Sequence, residues 1–159
     1  QSGTLDAAEF VGPYNDLALG FHQVAKNYYM PSFVEPGLAT ELVVDKKKYQ
    51  DLPDDLQAII RDVSQAEYDQ VASDFVANDP RALKTLVDDH GVIVRAFPDD
   101  IMEAGAKASV EVIEELRNSD DPLVKKTTES FIEALNLVRV RTETIDSPLV
   151  AARQKYLKY

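Results

Sequence analysis

Turn-forming residues and helical patterns occupy different parts of this 159-residue chain, and that division constrains its fold most strongly. Residues 1–37 contain four of the six glycines and three of the eight prolines, a composition that favours short strands, turns and loops. In residues 38–159 each of the other five prolines lies near a turn and opens a helical pattern. The sequence therefore predicts an α/β fold, with strands and loops in residues 1–44 and mainly helices in residues 45–159.

The spacing of apolar residues gives approximate bounds for these elements. Leu56, Ile59, Ile60 and Val63 recur at the spacing of one helix face, and similar patterns follow further along the chain. Residues 78–80, Asn-Asp-Pro, are expected to interrupt or kink the longest pattern, and Gly91 is expected to cap the next helix. Helices are predicted near residues 15–26, 53–77, 80–90, 98–118, 123–142 and 148–157, and strands at residues 5–11, 39–44 and 92–97.

Charge and residue types exclude several classes of function. The formal net charge is −11, and an acidic chain repels nucleic acid and anionic membrane surfaces. Much of the acidity lies at predicted helix starts, where the helix dipole favours anions. With no cysteine and two histidines, the chain has no thiol nucleophile and cannot build a multi-histidine metal site. No serine nucleophile motif, phosphate loop or bilayer-spanning apolar run is present, so the sequence predicts no enzyme.

The two histidines are expected to be structural or surface residues. His22 lies on a predicted helix among mixed neighbours. His90 precedes the predicted cap Gly91, where a positive charge would favour the helix C-terminus.

Aromatic residues and two carboxylates are concentrated near the start of the chain. Six of the thirteen aromatic residues fall within residues 10–33. Rigid rings with a few fixed charges are typical of a pocket wall. The alternative is that the rings form core and the carboxylates lie on the surface, and composition alone does not separate the two. The residues predicted to line this pocket are Glu9, Phe10, Tyr14, Phe33 and Glu35.

Several segments carry a resemblance to a known family. They are residues 3–16, 19–21, 28–29, 31–37, 52–60 and 94–100. Together they resemble the solute-binding subunit of TRAP (tripartite ATP-independent periplasmic) transporters for organic acids, in the branch for keto-acids and related monocarboxylates. The resemblance implies the C-terminal half of a two-lobed periplasmic binding protein, which captures a small organic acid anion and delivers it to the membrane permease subunits.

The resemblance also implies a bridging cation at the ligand carboxylate. The positions that match such a site are Glu9, Phe10 through its backbone carbonyl, and Glu35. Phe10 stands where the branch often has Trp, which retains an aromatic wall but removes an indole N–H donor. Two carboxylates beside one anionic ligand repel it unless a cation compensates. If both Glu9 and Glu35 point into the pocket, Ca²⁺ fits better than Na⁺, whereas Na⁺ suffices if only one does.

One departure from the family concerns ligand affinity. The arginine that pairs with the ligand carboxylate lies upstream of the matching block in the family, and the sequence begins only a few residues before that block. We therefore expect these 159 residues alone to bind ligand weakly. We also expect the chain to associate, because the apolar faces of a half-protein seek partners. The resemblance implies that it does so as a homodimer through the helices of residues 123–157. The alternative is a self-standing helix-rich interaction or structural protein.

Overall fold

The first of two compact units ends at Pro98 and contains both strands of the described chain. The computed structural model describes residues 3–32 and 41–158, and the second unit begins at Asp99. In order, the elements of the first unit are α1 (Pro13–Leu19), a 3-10 turn (Phe21–Gln23), β1 (Asn27–Tyr29), α2 (Lys46–Gln50), α3 (Asp54–Asp88) and β2 (Ile93–Arg95).

Helix α1 is shorter than the helix predicted over residues 15–26. Pro13 occupies its first turn, where the missing N–H costs nothing. Gly20 ends the helix with a left-handed φ of 75°, a conformation that glycine adopts without strain. The chain then makes the 3-10 turn and enters β1, which the apolar pattern did not predict.

Strand β1 pairs in parallel with β2, and the register aligns Tyr28 with Val94. The strand predicted at residues 92–97 is confirmed at its centre. The strand predicted at residues 5–11 is wrong, because that segment is neither helix nor strand and is rich in Ala, Asp and Glu, which favour strands poorly. Of the strand predicted at residues 39–44, the described part, 41–44, is also irregular, and residues 39 and 40 lie outside the described residues.

Helix α3 runs for 35 residues and passes through the predicted interruption at Pro80. Side-chain hydrogen bonds lie at that point: the Asn78 amide donates to Asp74 at 2.7 Å just before the proline, and Arg81 donates to Asn78 at 3.3 Å across it. They help to hold the turns on both sides of the proline, which itself removes one backbone hydrogen bond. The prediction of Gly91 as a cap agrees with its φ of 66° and with the 3.2 Å bond from its amide to the Val87 carbonyl.

The core of the first unit lies where α1 packs against the C-terminal half of α3. Ala82, Leu86 and Val92 are buried there, and Leu86 is only 1% exposed. The N-terminal half of α3 differs, because Leu56 and Ile59 on its predicted apolar face remain 42% and 55% exposed. That face is therefore not covered by the described residues.

The second unit consists of helices, of which α4 and α5 pack against each other. Asp121 caps α5, since its side chain accepts a hydrogen bond from the Leu123 amide at 2.8 Å. The two helices predicted over residues 123–142 and 148–157 are joined without a break by a π-helical turn. The elements are α4 (Asp99–Arg117), α5 (Pro122–Arg141), the π turn (Thr142–Asp146) and α6 (Ser147–Tyr156).

The protein exposes far more surface than its mass requires. Its accessible surface is 13339 Å². Even two separately compact units of these lengths would together expose only about 9,500 Å². Much apolar surface therefore remains in solvent, although no helix among the described residues is both long and apolar enough to cross a bilayer.

Candidate functional site

The predicted ligand-binding pair, Glu9 and Phe10, lies in an exposed irregular segment before α1. We call residues 9–12 the Glu9 segment. Glu9 is exposed, and Phe10 is 47% exposed. The Phe10 ring packs edge-on against Phe21, with ring centroids 5.6 Å apart. Because Phe21 begins the turn after α1, this contact ties the Glu9 segment to the far end of that helix.

Tyr14 lies on α1 and is held by two residues of α3. Its ring packs edge-on against Phe75 at a centroid distance of 6.1 Å. Its backbone amide donates a hydrogen bond to the Asp79 carboxylate at 3.0 Å. Tyr14 as a whole is 41% exposed, so part of its surface remains open to solvent while α3 fixes its position.

Phe33 and Glu35, the other two predicted pocket residues, lie outside the described residues. The structure does describe the strand that leads to them. The Met30 amide, just after β1, donates to the Arg95 carbonyl at 2.9 Å, and the rings of Tyr29 and Phe97 lie 5.1 Å apart. Strand β2 thus fixes the point from which the chain proceeds towards Phe33.

A buried carboxyl–phenol pair, which the sequence did not predict, lies between α1 and β1. The Tyr28 hydroxyl donates to Asp16 at 2.5 Å, and Asp16 is 7% exposed. Burial raises the pKa of Asp16, the Tyr28 hydrogen bond opposes that rise, and the nearby Asp79 adds to it. Burial and the bond to Asp16 raise the pKa of Tyr28. The only sequence signal was weak: Pro13 and Asp16, three residues apart, share the buried face of α1.

The rings of the two histidines stack on each other. The rings of His22 and His90 lie 3.9 Å apart at an angle of 23°. Burial lowers the pKa of His22, and the neighbouring His90 and Lys26 lower it further. The cation at the end of α3 is Lys26, whose ammonium donates to the His90 carbonyl at 2.9 Å. This geometry agrees with the structural role expected for both histidines.

Two of the three predicted cation ligands are adjacent within the described chain. The carboxylate of Glu9 and the carbonyl of Phe10 are oxygen donors of the kind that Ca²⁺ prefers. Over residues 3–32 and 41–158, no group of three or more His, Asp and Glu side chains is placed to hold a metal ion. A complete cation site would therefore need Glu35, a carbonyl group or the ligand itself.

Comparison with known proteins identifies the family. Residues 1–120 match the model of the DctP bacterial extracellular solute-binding proteins, family 7. A monocarboxylate 2-oxoacid-binding periplasmic protein of Nostoc sp. (strain PCC 7120) is 31% identical over 118 residues, which are 74% of this chain and 32% of that protein.

A solved structure extends the similarity to nearly the whole chain. It is a TRAP transporter solute-binding protein from Bordetella bronchiseptica RB50, a mixed-occupancy dimer with copurified calcium and picolinate in one active site and the other site apo. It is 28% identical with a TM-score of 0.75, over 98% of this chain and 47% of that one. The chain thus spans 32% and 47% of the length of these two relatives, and the predicted helix-rich α/β fold is confirmed. The chain belongs to the family 7 extracellular solute-binding proteins, a family of binding proteins and not of enzymes.

Proposed function

We propose that this chain is part of a periplasmic protein that captures a 2-oxoacid or a related monocarboxylate and delivers it to the permease subunits of a TRAP transporter. The family match over residues 1–120 carries this proposal, because it includes every predicted pocket residue. The 2-oxoacid-binding relative and the picolinate-bound neighbour support the ligand class, since both ligands present a carboxylate.

We also propose that a Ca²⁺ ion bridges the ligand carboxylate to Glu9 and to the Phe10 carbonyl. The charge balance supports this, because Glu9 alone would repel an anionic ligand. Glu35 would supply the second carboxylate, and two carboxylates favour a divalent ion over Na⁺. The calcium bound in the Bordetella protein is consistent with the same chemistry. Phe10, Tyr14 and Phe33 would form the aromatic wall.

A third part of the proposal is a homodimer through the helices of residues 123–157. Apolar side chains in this region are widely exposed, for example Leu123 at 71% and Phe131 at 51%. Exposed apolar surface of this extent is typical of an interface. The dimeric state of the Bordetella structure agrees with it. Leu135→Glu should convert a dimer to a monomer in light scattering, and a wild-type monomer at high concentration would contradict this part.

Calorimetry on the product of the complete reading frame tests ligand binding. Pyruvate is the probe, titrated with Ca²⁺ present and again after chelation. We expect chelation to weaken binding at least tenfold, and Glu9→Gln to weaken it about 10- to 100-fold, since a charged ligand to the cation is lost. Glu111→Gln, an exposed acid of α4, is the matched control and should bind as the wild type does.

Three further outcomes would each contradict a different part of the proposal. The 159 residues alone should bind pyruvate weakly, and micromolar affinity would contradict the expected need for an upstream arginine. Equal affinity with and without Ca²⁺ would contradict the bridging ion. Absence of binding to any small carboxylate by the complete protein would contradict the function itself.

A further inference from the structure

Helix α1 receives its N-terminal cap from a distant residue. Its N-cap position is Gly12, which has no side chain to accept a hydrogen bond from the first turn. The acceptor is instead Asp79 of α3, 65 residues away, whose Oδ1 atom lies 3.0 Å from the Tyr14 amide nitrogen. A carboxylate is among the best acceptors for this role.

The same carboxylate lies directly against the end of the Glu9 segment. A Cβ atom at Gly12 would lie 3.4 Å from Oδ1 and 3.6 Å from Oδ2 of Asp79, which is van der Waals contact. One turn earlier on α3, Phe75 packs against the Tyr14 ring. Phe75 and Asp79 are four residues apart and thus share one face of α3. That face holds the backbone and the side chain at the start of α1.

Asp79 lies at a point where α3 itself lacks a backbone hydrogen bond. Asp79 precedes Pro80, which has no N–H to donate to the Val76 carbonyl. The Glu9 segment is held on its other side by the contact between Phe10 and Phe21. Because Phe21 follows α1, that second contact also depends on where α1 lies. Loss of the Asp79 acceptor should therefore loosen both attachments.

We propose that Asp79 is a positioning residue for ligand binding: it fixes the Glu9 segment so that the Glu9 carboxylate and the Phe10 carbonyl are presented together to the bridging cation. This inference rests on the proposed function. Asp79 itself touches neither ligand nor ion. It acts through the Tyr14 amide and the backbone at Gly12.

Amide hydrogen exchange of the 159-residue chain tests the structural step without any ligand. Asp79→Ala should raise the exchange of residues 9–16 about 3- to 30-fold, the effect of one lost cap. Asp79→Asn retains an Oδ1 acceptor and should exchange nearly as the wild type does. Asp62→Ala removes an exposed acid of the same helix and should change nothing at residues 9–16. Unchanged exchange in Asp79→Ala overturns the proposal.

Pyruvate and Ca²⁺ affinity of the complete protein tests the functional step. Asp79→Ala should weaken Ca²⁺-dependent pyruvate binding about 3- to 30-fold, and Asp79→Asn should restore it. In a Glu9→Gln background the loss should be smaller, because the part of it that acts through the Glu9 carboxylate is already gone. A merely structural role would give additive losses, and that result overturns the proposal, as does full affinity in Asp79→Ala.

Two safeguards keep the outcomes distinct. If Asp79→Ala does not fold, Asp79→Ser, which keeps a shorter acceptor, should give intermediate exchange and affinity, and wild-type values there count against the proposal. If the wild type binds no carboxylate, the proposed function fails, and this inference fails with it. If the wild type binds and Asp79→Ala binds equally well, only the inference about Asp79 fails.

Discussion

Truncation of Leu86 tests most directly which packing contact contributes most to the free energy of unfolding of the first unit. Leu86 lies on α3 and is 1% exposed, the largest fully buried side chain of the described chain. Leu86→Ala removes three carbon groups, worth about 0.8 kcal/mol each or about 2.4 kcal/mol in transfer free energy. The cavity that remains adds to this, so the free energy of unfolding should fall by about 3–4 kcal/mol.

Chemical denaturation followed by circular dichroism measures this loss, with Val76→Ala as the control. Val76 lies on the same helix but is 77% exposed, so its truncation should cost less than about 0.5 kcal/mol. A loss of 3 kcal/mol changes the folding equilibrium more than a hundredfold, well outside error. If Leu86→Ala costs no more than Val76→Ala, the packing of α1 on the C-terminal half of α3 is not the core of this unit.

Three other perturbations have expected outcomes of known sign. Folding raises the pKa of Tyr28, so Tyr28 stabilises the folded state at pH values below 10.0, its ordinary pKa. This stabilisation is lost as pH rises above 10.0. Tyr28→Phe should therefore flatten the alkaline fall in the free energy of unfolding. Folding lowers the pKa of His22, which gives the opposite pH dependence: its contribution to stability is present above pH 6.5, its ordinary pKa, and is lost as pH falls. His22→Phe should therefore flatten the fall in the free energy of unfolding at acid pH. Gly20→Ala should cost about 1–2 kcal/mol in denaturation, because φ is 75° there, a left-handed conformation that strains a residue with a Cβ atom.

The sequence predicted the helices better than the strands, for a physical reason. A long apolar pattern such as that of α4 or α5 is local, and proline and acidic residues mark its start. Strand β1 depends on pairing with β2, 66 residues away in the register of Asn27 with Ile93, and no local pattern encodes that partner. Residues 5–11 show the reverse error, since a few apolar residues among Ala, Asp and Glu are not enough to form a strand.

Proline was the other source of error. The helix end predicted before Pro80 is wrong, because α3 continues through that residue. The sequence pattern could not reveal the side-chain bonds that Asn78 makes to Asp74 before the proline and to Arg81 across it. Pro148 likewise opens α6, yet a π turn joins that helix to α5 without a break. The sequence shows that a proline removes a backbone hydrogen bond, but whether the helix continues depends on the contacts that neighbouring residues make.

The residues of the candidate site also differ in whether the sequence could predict them. Glu9, Phe10 and Tyr14 were predicted as site residues from their residue types and from a resemblance, and the structure places the first two together in an exposed segment. Asp79 was not predicted from the sequence, because the role that we propose for it depends on a contact with Tyr14 across 65 residues. Long-range hydrogen bonds of this kind leave no periodic signal in a sequence.

The most direct test of the proposed site is an anomalous difference map of the complete protein crystallised with pyruvate and Ca²⁺. We predict a calcium peak about 2.3–2.6 Å from both the Glu9 carboxylate and the Phe10 carbonyl, with the pyruvate carboxylate on the same ion. Bound pyruvate without an ion at Glu9, or a calcium ion bound elsewhere, would contradict the account.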